Sequence, residues 1–130
     1  MKTLPPDLMM QALAFRRAMS QPIATLAPKS LTLQAHLISE EYHEFLDAHV
    51  EVMNYPDHEE SKEECLKEVC DLVFVCFQYC AAAGWELDEA MTRVYESNMS
   101  KLVDGKPFKN ELGKVTKGPN YKPPYLKDLV

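Results

Sequence analysis

Apolar residues recur at helical spacing through four stretches of the chain, with prolines and glycines between them. Leu8, Ala12, Phe15 and Met19 mark one face of a first helix over residues 5–20, opened by Pro5-Pro6 and stopped by Pro22. Residues 20–28 read as a loop. A second helix starts near Ser30, a plausible N-cap, and runs to about Asn54. Its apolar series is Leu33, Leu37, Ile38, Tyr42, Phe45, Leu46, His49, Val52 and Met53. Asn54-Tyr55-Pro56-Asp57 is a turn, and a third helix follows over residues 57–83, to be ended by Gly84. A fourth begins after Leu87, with Asp88 as cap, and reaches about Leu102.

The third helix changes character midway. Residues 57–68 are acidic, whereas Leu72 to Ala83 reads LVFVCFQYCAAA and is apolar nearly all round. A helix apolar on every side is buried on every side, and four helices supply too little cover. A second subunit is the natural source of the rest. Beyond residue 102 lie three of the four glycines and four of the nine prolines, so this segment reads as ordered loop or short hairpin. No strand run is strong enough to build a sheet. The expected fold is all-α: a four-helix bundle with an irregular C-terminal tail, completed by oligomerisation as a homodimer or homotetramer. Residues 1–130 make one domain, with a helical core over about 5–102 and a basic tail over 103–130.

Composition narrows the class. The hydrophobic share of 46% and charged share of 26% are ordinary for a globular domain and leave no run long enough to span a membrane. Pro5, Pro6 and Asp7 stand where a signal peptide places its apolar stretch, so a cytoplasmic location is expected, with no membrane partner. The net charge of −6 argues against nucleic-acid binding. It is unevenly spread: residues 1–100 carry −10 and residues 101–130 carry +4. An acidic body with a basic tail suits a divalent cation and a polyphosphate together; mutual neutralisation is the plainer alternative. Cys65, Cys70, Cys76 and Cys80 have neither disulfide-framework nor zinc-site spacing and fit small buried hydrophobes.

The chemistry lies in the carboxylates. Glu40, Glu41 and Glu44 share a sector of the second helix about 100° wide, since successive residues turn by about 100°. Glu64, Glu68 and Asp71 share a sector of the third, and Asp71 stands immediately before the apolar stretch, an expensive place for an unpaired charge. Two such clusters on consecutive antiparallel helices repel unless a cation lies between them. All-oxygen ligands suit a hard cation such as Mg²⁺, with Mn²⁺ as a substitute. A di-iron centre needs two Glu-x-x-His motifs, and only Glu40-x-x-His43 occurs.

Glu41-x-x-Glu44, then 23 residues, then Glu68-x-x-Asp71 resembles the signature of the MazG-like all-α nucleoside triphosphate pyrophosphohydrolases, whose relatives include dimeric dUTPases and phosphoribosyl-ATP pyrophosphohydrolase. Glu40 matches the doubled glutamate common in that motif. Asn98-x-x-Lys101 resembles the family's downstream phosphate- and sugar-contacting pair, and the tail D-G-K-P … G-K-V-T-K-G-P-N-Y-K-P-P is similar to tails of small members. The resemblance covers about residues 30–125.

It implies hydrolysis of a nucleoside triphosphate between the α- and β-phosphorus, giving monophosphate and pyrophosphate. Glu41, Glu44, Glu68 and Asp71 would hold Mg²⁺, with Glu40 as general base or second-metal ligand. Lys101 would offset charge on the departing pyrophosphate, with Asn98 on the same helical face. Lys114, Lys117 and Tyr121 would fold over the nucleotide. His36, one turn before Glu40, would approach a phosphate or occupy a polar core position, and Arg16 and Arg17 would line the site. Trp85 would stack on a base or plug the core; Phe15 and Met19 read as core. The expected substrate is a canonical or damaged (d)NTP, with a lean toward purine deoxynucleotides such as dGTP, for pool control or house-cleaning. The alternatives are dUTP or phosphoribosyl-ATP in the same chemistry, and a non-catalytic metal-binding bundle.

Overall fold

A computed structural model describes residues 7–130. Its long elements are four α-helices: α1 (Leu8–Ala18), α2 (Pro28–Asn54), α3 (Glu59–Ala83) and α4 (Leu87–Met99). The described residues contain no strand, only two isolated bridges in the tail. The fold among these residues is therefore all-α, as the periodicity predicts. No helix among the described residues is long and apolar enough to cross a membrane. The chain divides into two compact units, one running up to Trp85 and one over Glu86–Val130.

In the first unit α2 and α3 form the main helix pair, and α1 packs on α3. Asp7 caps α1 by accepting a bond from the Met10 amide at 2.7 Å, while Pro5 and Pro6 lie outside the described residues. The buried side of α1 runs through Met9, Ala12 and Arg16, and Leu8 and Met19 are exposed. This corrects the expected apolar face and the core assignment of Met19. The reason is Arg16, only 1% exposed, whose Nε donates to the Pro22 carbonyl at 2.7 Å and whose Nη1 donates to Gln78 Oε1 at 3.2 Å. Gln78 Nε2 in turn donates to the Ala12 carbonyl at 3.3 Å. A bonded guanidinium thus takes the place expected of an apolar residue. Phe15 meets Phe74 edge-on at 5.1 Å.

α2 begins two residues before the expected cap. Pro28 occupies the first helical turn, where its missing N–H is no loss, and Ser30 lies inside the helix. α3 starts after His58, whose Nδ1 meets Ser61 Oγ at 2.7 Å, with Glu59 and Glu60 in the first turn. At its far end the carbonyls left without helix partners are met by a loop: Ala24 N–H donates to Ala81 O at 3.2 Å and Thr25 N–H to Ala82 O at 2.7 Å. Gly84 closes the helix with φ +82°, and a Cβ there would stand 3.0 Å from both Cα and Cβ of Ala24. Trp85 packs on Tyr79 at 5.8 Å, half-buried. Val75, Phe77, Ala81, Ala82 and Ala83 are buried, while Leu66, Val69, Val73 and Phe74 are exposed. Burial raises the thiol pKa values of Cys76 and Cys80, but Cys70 is exposed and departs from the buried expectation.

In the second unit Glu86, not Asp88, stands at the cap of α4, and Asp88 sits in its first turn. α4 ends at Met99, so Lys101 lies in the following turn rather than on the helix. The tail is ordered against α4. Arg93 grips both Asp128 oxygens at 2.6 and 3.0 Å, Glu89 at 3.1 Å and the Tyr125 carbonyl at 2.9 Å. Ser97 Oγ donates to the Lys122 carbonyl at 2.7 Å. Asp104 and Gly105, both at positive φ, make the two-residue turn of a minimal hairpin between Val103 and Lys106.

Gly84→Ala should destabilise the protein by about 1–2 kcal/mol or more, from the left-handed backbone and the close approach of Ala24. Urea unfolding followed by far-UV circular dichroism measures it; an unchanged midpoint would show that neither constraint operates.

Candidate active site

α2 and α3 are antiparallel neighbours joined by a short turn in which His58 N–H bonds the Tyr55 carbonyl at 3.0 Å. Glu44 lies about ten residues before that turn and Glu68 about ten after it, so equal helical rise brings them level. The same face of α2 carries Gln34, Glu41 and Ala48 at intervals of seven, which is why it can bury Gln34 and Ala48 against α3 while presenting Glu41.

One carboxylate oxygen from each of Glu41, Glu44 and Glu68 lies within 4.8 Å of the others. Glu44 is exposed, Glu41 half-buried and Glu68 only 5% exposed. One oxygen of Glu41 and one of Glu68 (Oε2 in each) are buried without a hydrogen-bond partner. Burial raises the Glu41 pKa first, and the neighbouring Glu44, Asp71 and Glu68 raise it further, with a hydrogen bond between Glu41 and Glu44. The Glu64 pKa is raised chiefly by its hydrogen bond to Glu68. The ionised cluster is thus strained by its own charge. A hard divalent cation fits this donor set: oxygen ligands only, with one unpartnered buried oxygen on each of Glu41 and Glu68.

The other residues singled out by sequence fall in several places. Asp71 is not one of the trio; its Oδ2 accepts from Lys67 Nζ at 2.9 Å, and Lys67 also reaches Glu68 Oε1 at 3.5 Å. Glu40 is exposed and outside the trio. His36 is exposed, so it is not a core histidine. Arg17 is exposed, and Arg16 serves the interior of the first unit. His43 bonds the Ser39 carbonyl at 2.7 Å through Nδ1, and the carboxylate trio includes no histidine.

Asn98, Lys101, Lys117 and Tyr121 belong to the second unit. Asn98 is exposed at the end of α4, and its carbonyl accepts from Lys101 N–H at 3.2 Å. The α-helix stops between them at Met99, and Lys101 follows in an i→i+3 turn rather than in the helix itself. Lys117 Nζ sits over the Tyr121 ring, 4.8 Å from its centroid. Gly118 permits that turn: a Cβ there would lie 2.8 Å from Val103 Cγ2 and 3.0 Å from the Lys101 carbonyl. Lys114 is exposed. Lys67 is the residue to which sequence reasoning gave no role. The Lys67-to-Asp71 spacing of one helical turn was the available signal.

Residues 10–98 match the family model described as phosphoribosyl-ATP pyrophosphohydrolase. The match takes in α1 to α3 almost entirely and α4 nearly to its end, including all four motif acids. No curated protein gives a significant match. The family match, over more than half of the chain, supports nucleotide pyrophosphohydrolase chemistry in general and agrees with the acidic cluster. The chain belongs to the phosphoribosyl-ATP pyrophosphohydrolase family, within the MazG-like nucleotide pyrophosphohydrolase superfamily.

Proposed function

We propose that this chain, taken as a single domain over 1–130, is an Mg²⁺-dependent enzyme that cleaves a nucleoside triphosphate to its monophosphate and pyrophosphate. Mn²⁺ would substitute for Mg²⁺. The observation that carries the reading is the pair of buried, unpartnered carboxylate oxygens on Glu41 and Glu68 inside a trio within 4.8 Å. A canonical or damaged (d)NTP, with purine deoxynucleotides such as dGTP foremost, is the first substrate class, in a role of nucleotide-pool control. Phosphoribosyl-ATP is the second, favoured by the description of the matching family. Both present the same triphosphate to the acids.

Glu41, Glu44, Glu68 and Asp71 would hold the ion. Bound there, Mg²⁺ neutralises phosphate oxygens and lowers the pKa of a water. Glu40, next to the trio in sequence and free of it, accepts the proton of the attacking water. Following the Asn98-x-x-Lys101 resemblance, Lys101 offsets charge on the leaving pyrophosphate and Asn98 bonds sugar or phosphate. Lys117, Tyr121 and His36 complete the substrate contacts. The working form is a homodimer or homotetramer in the cytoplasm. Tyr42, Leu46, Val50 and Met53 on α2, with Leu66, Val69 and Val73 on α3, form exposed apolar surface that a second copy would cover.

Product analysis tests the reading. Purified protein with Mg²⁺, a panel of NTPs and dNTPs, and phosphoribosyl-ATP should yield monophosphate and pyrophosphate from at least one substrate. Diphosphate and phosphate would reject α–β cleavage; absence of turnover would favour a metal-binding bundle. Glu44→Gln and Asp71→Asn should each lower turnover by about 100-fold or more while keeping the helical fold.

Lys101→Ala should reduce turnover roughly tenfold or more while leaving Mn²⁺ affinity nearly unchanged. An unaltered kcat would return Lys101 to ordinary surface.

The raised Glu41 pKa sets a pH dependence. The native state binds its proton more tightly than the unfolded chain does, so metal-free protein gains stability as pH falls through the raised value. The gain is complete below the ordinary glutamate value of 4.5. Thermal melts in EDTA between pH 7.5 and 5 should show a rising Tm. Saturating Mg²⁺ should flatten or reverse the rise, because protons then displace the ion. Parallel profiles with and without Mg²⁺ would break the link between the trio and the ion.

A further inference from the structure

Among the described residues, Lys67 is the one cation paired with any of the four motif acids. Its Nζ stands 2.9 Å from Asp71 Oδ2 and 3.5 Å from Glu68 Oε1. Glu41, Glu44 and Glu68 converge, while Asp71 is turned to the lysine and does not enter the trio. Lys67 is itself exposed, on a flexible four-carbon stem that can swing into solvent without disturbing the helix.

We propose that Lys67 is an internal counter-ion that holds Asp71 in the metal-free state and is displaced from it when the divalent cation binds. Lys67 thereby sets how tightly the acids take up metal. The proposal rests on the metal-centre reading above.

The physical argument is competition for one carboxylate. An Asp71 oxygen at hydrogen-bonding distance from an ammonium group gives up that bond to coordinate a metal, and the ammonium then stands close to a doubly charged ion. Both effects weaken metal binding relative to a chain with a neutral residue at 67. In the metal-free protein the sign is opposite: Lys67 offsets part of the repulsion among Glu41, Glu44, Glu68 and Asp71. Lys67 is a positioning residue, acting through Asp71.

Titration of the full chain with Mn²⁺, followed by calorimetry or by the free-ion paramagnetic resonance signal, tests this without turnover. Lys67→Met should bind Mn²⁺ about three- to tenfold more tightly than wild type at low salt, with the gap narrowing as ionic strength rises. Lys67→Arg keeps the charge and should stay within about twofold of wild type, as expected of an electrostatic effect. In thermal melts, Lys67→Met should lie below wild type in EDTA and gain more from Mg²⁺. A Lys67→Met variant that binds no more tightly than wild type would overturn the proposal and leave the metal centre standing. Equal tightening in Lys67→Arg would also overturn it. Wild-type protein that takes up no Mn²⁺ would overturn the metal centre, and this proposal with it.

Discussion

Helix pairing and charge repulsion pull against each other along the α2–α3 contact. Burying Ala48, Val75 and their neighbours draws the two helices together, and the same closeness packs Glu41 and Glu44 against Glu68. Like charges a few ångströms apart, partly out of water, are costly, and a proton or a cation must relieve them. The Lys67–Asp71 ion pair relieves part of the cost here, while burial and the neighbouring acids raise the Glu41 pKa. The Oε2 atoms of Glu41 and Glu68 are buried without a hydrogen-bond partner. Buried polar atoms are rarely left without a partner, and each such oxygen calls for a physical reason.

The strain is carried by structure placed away from it. At the opposite end of α3, Arg16, Gln78, Pro22 and Ala12 form a bonded polar network, and Ala24 and Thr25 satisfy the last carbonyls of the helix. These contacts fix α3 against the first helix and its loop independently of the acids. In the second unit the tail is fastened to α4 by Arg93 and by Ser97. An irregular segment rich in proline and glycine is thereby ordered, with Leu129 buried near its end.

Helical periodicity made the four helices legible, and Gly84 marked the end of α3 because a left-handed terminus favours glycine. The carboxylate convergence was legible too, since fixed rise and a short turn leave little freedom in how two antiparallel helices align. Ends set by tertiary context were not. Pro28 displaced Ser30 at the start of α2, Glu86 displaced Asp88 at the cap of α4, and α4 stopped before Lys101. Arg16 was illegible for a different reason: a long side chain can be buried only if acceptors surround its fork, and these come from Pro22 in the following loop and from Gln78, 62 residues away. The exposure of His36 follows from α2 burying only Gln34 and Ala48, a narrower face than its apolar series suggested.

The acids also explain why family membership and substrate choice separate. Carboxylates arranged around a hard cation recognise a polyphosphate through charge, and dGTP, dUTP and phosphoribosyl-ATP offer the same anhydride to such a centre. Nothing in a trio of glutamates distinguishes a purine from a pyrimidine or a bare base from a ribosylated one. Discrimination requires hydrogen bonds and stacking at the base and sugar, where a missing partner leaves a polar group unpaired. Those interactions demand amides, aromatic rings and shaped apolar walls. An acidic cluster on α2 and α3 can therefore serve any of these substrates, and specificity has to come from other side chains.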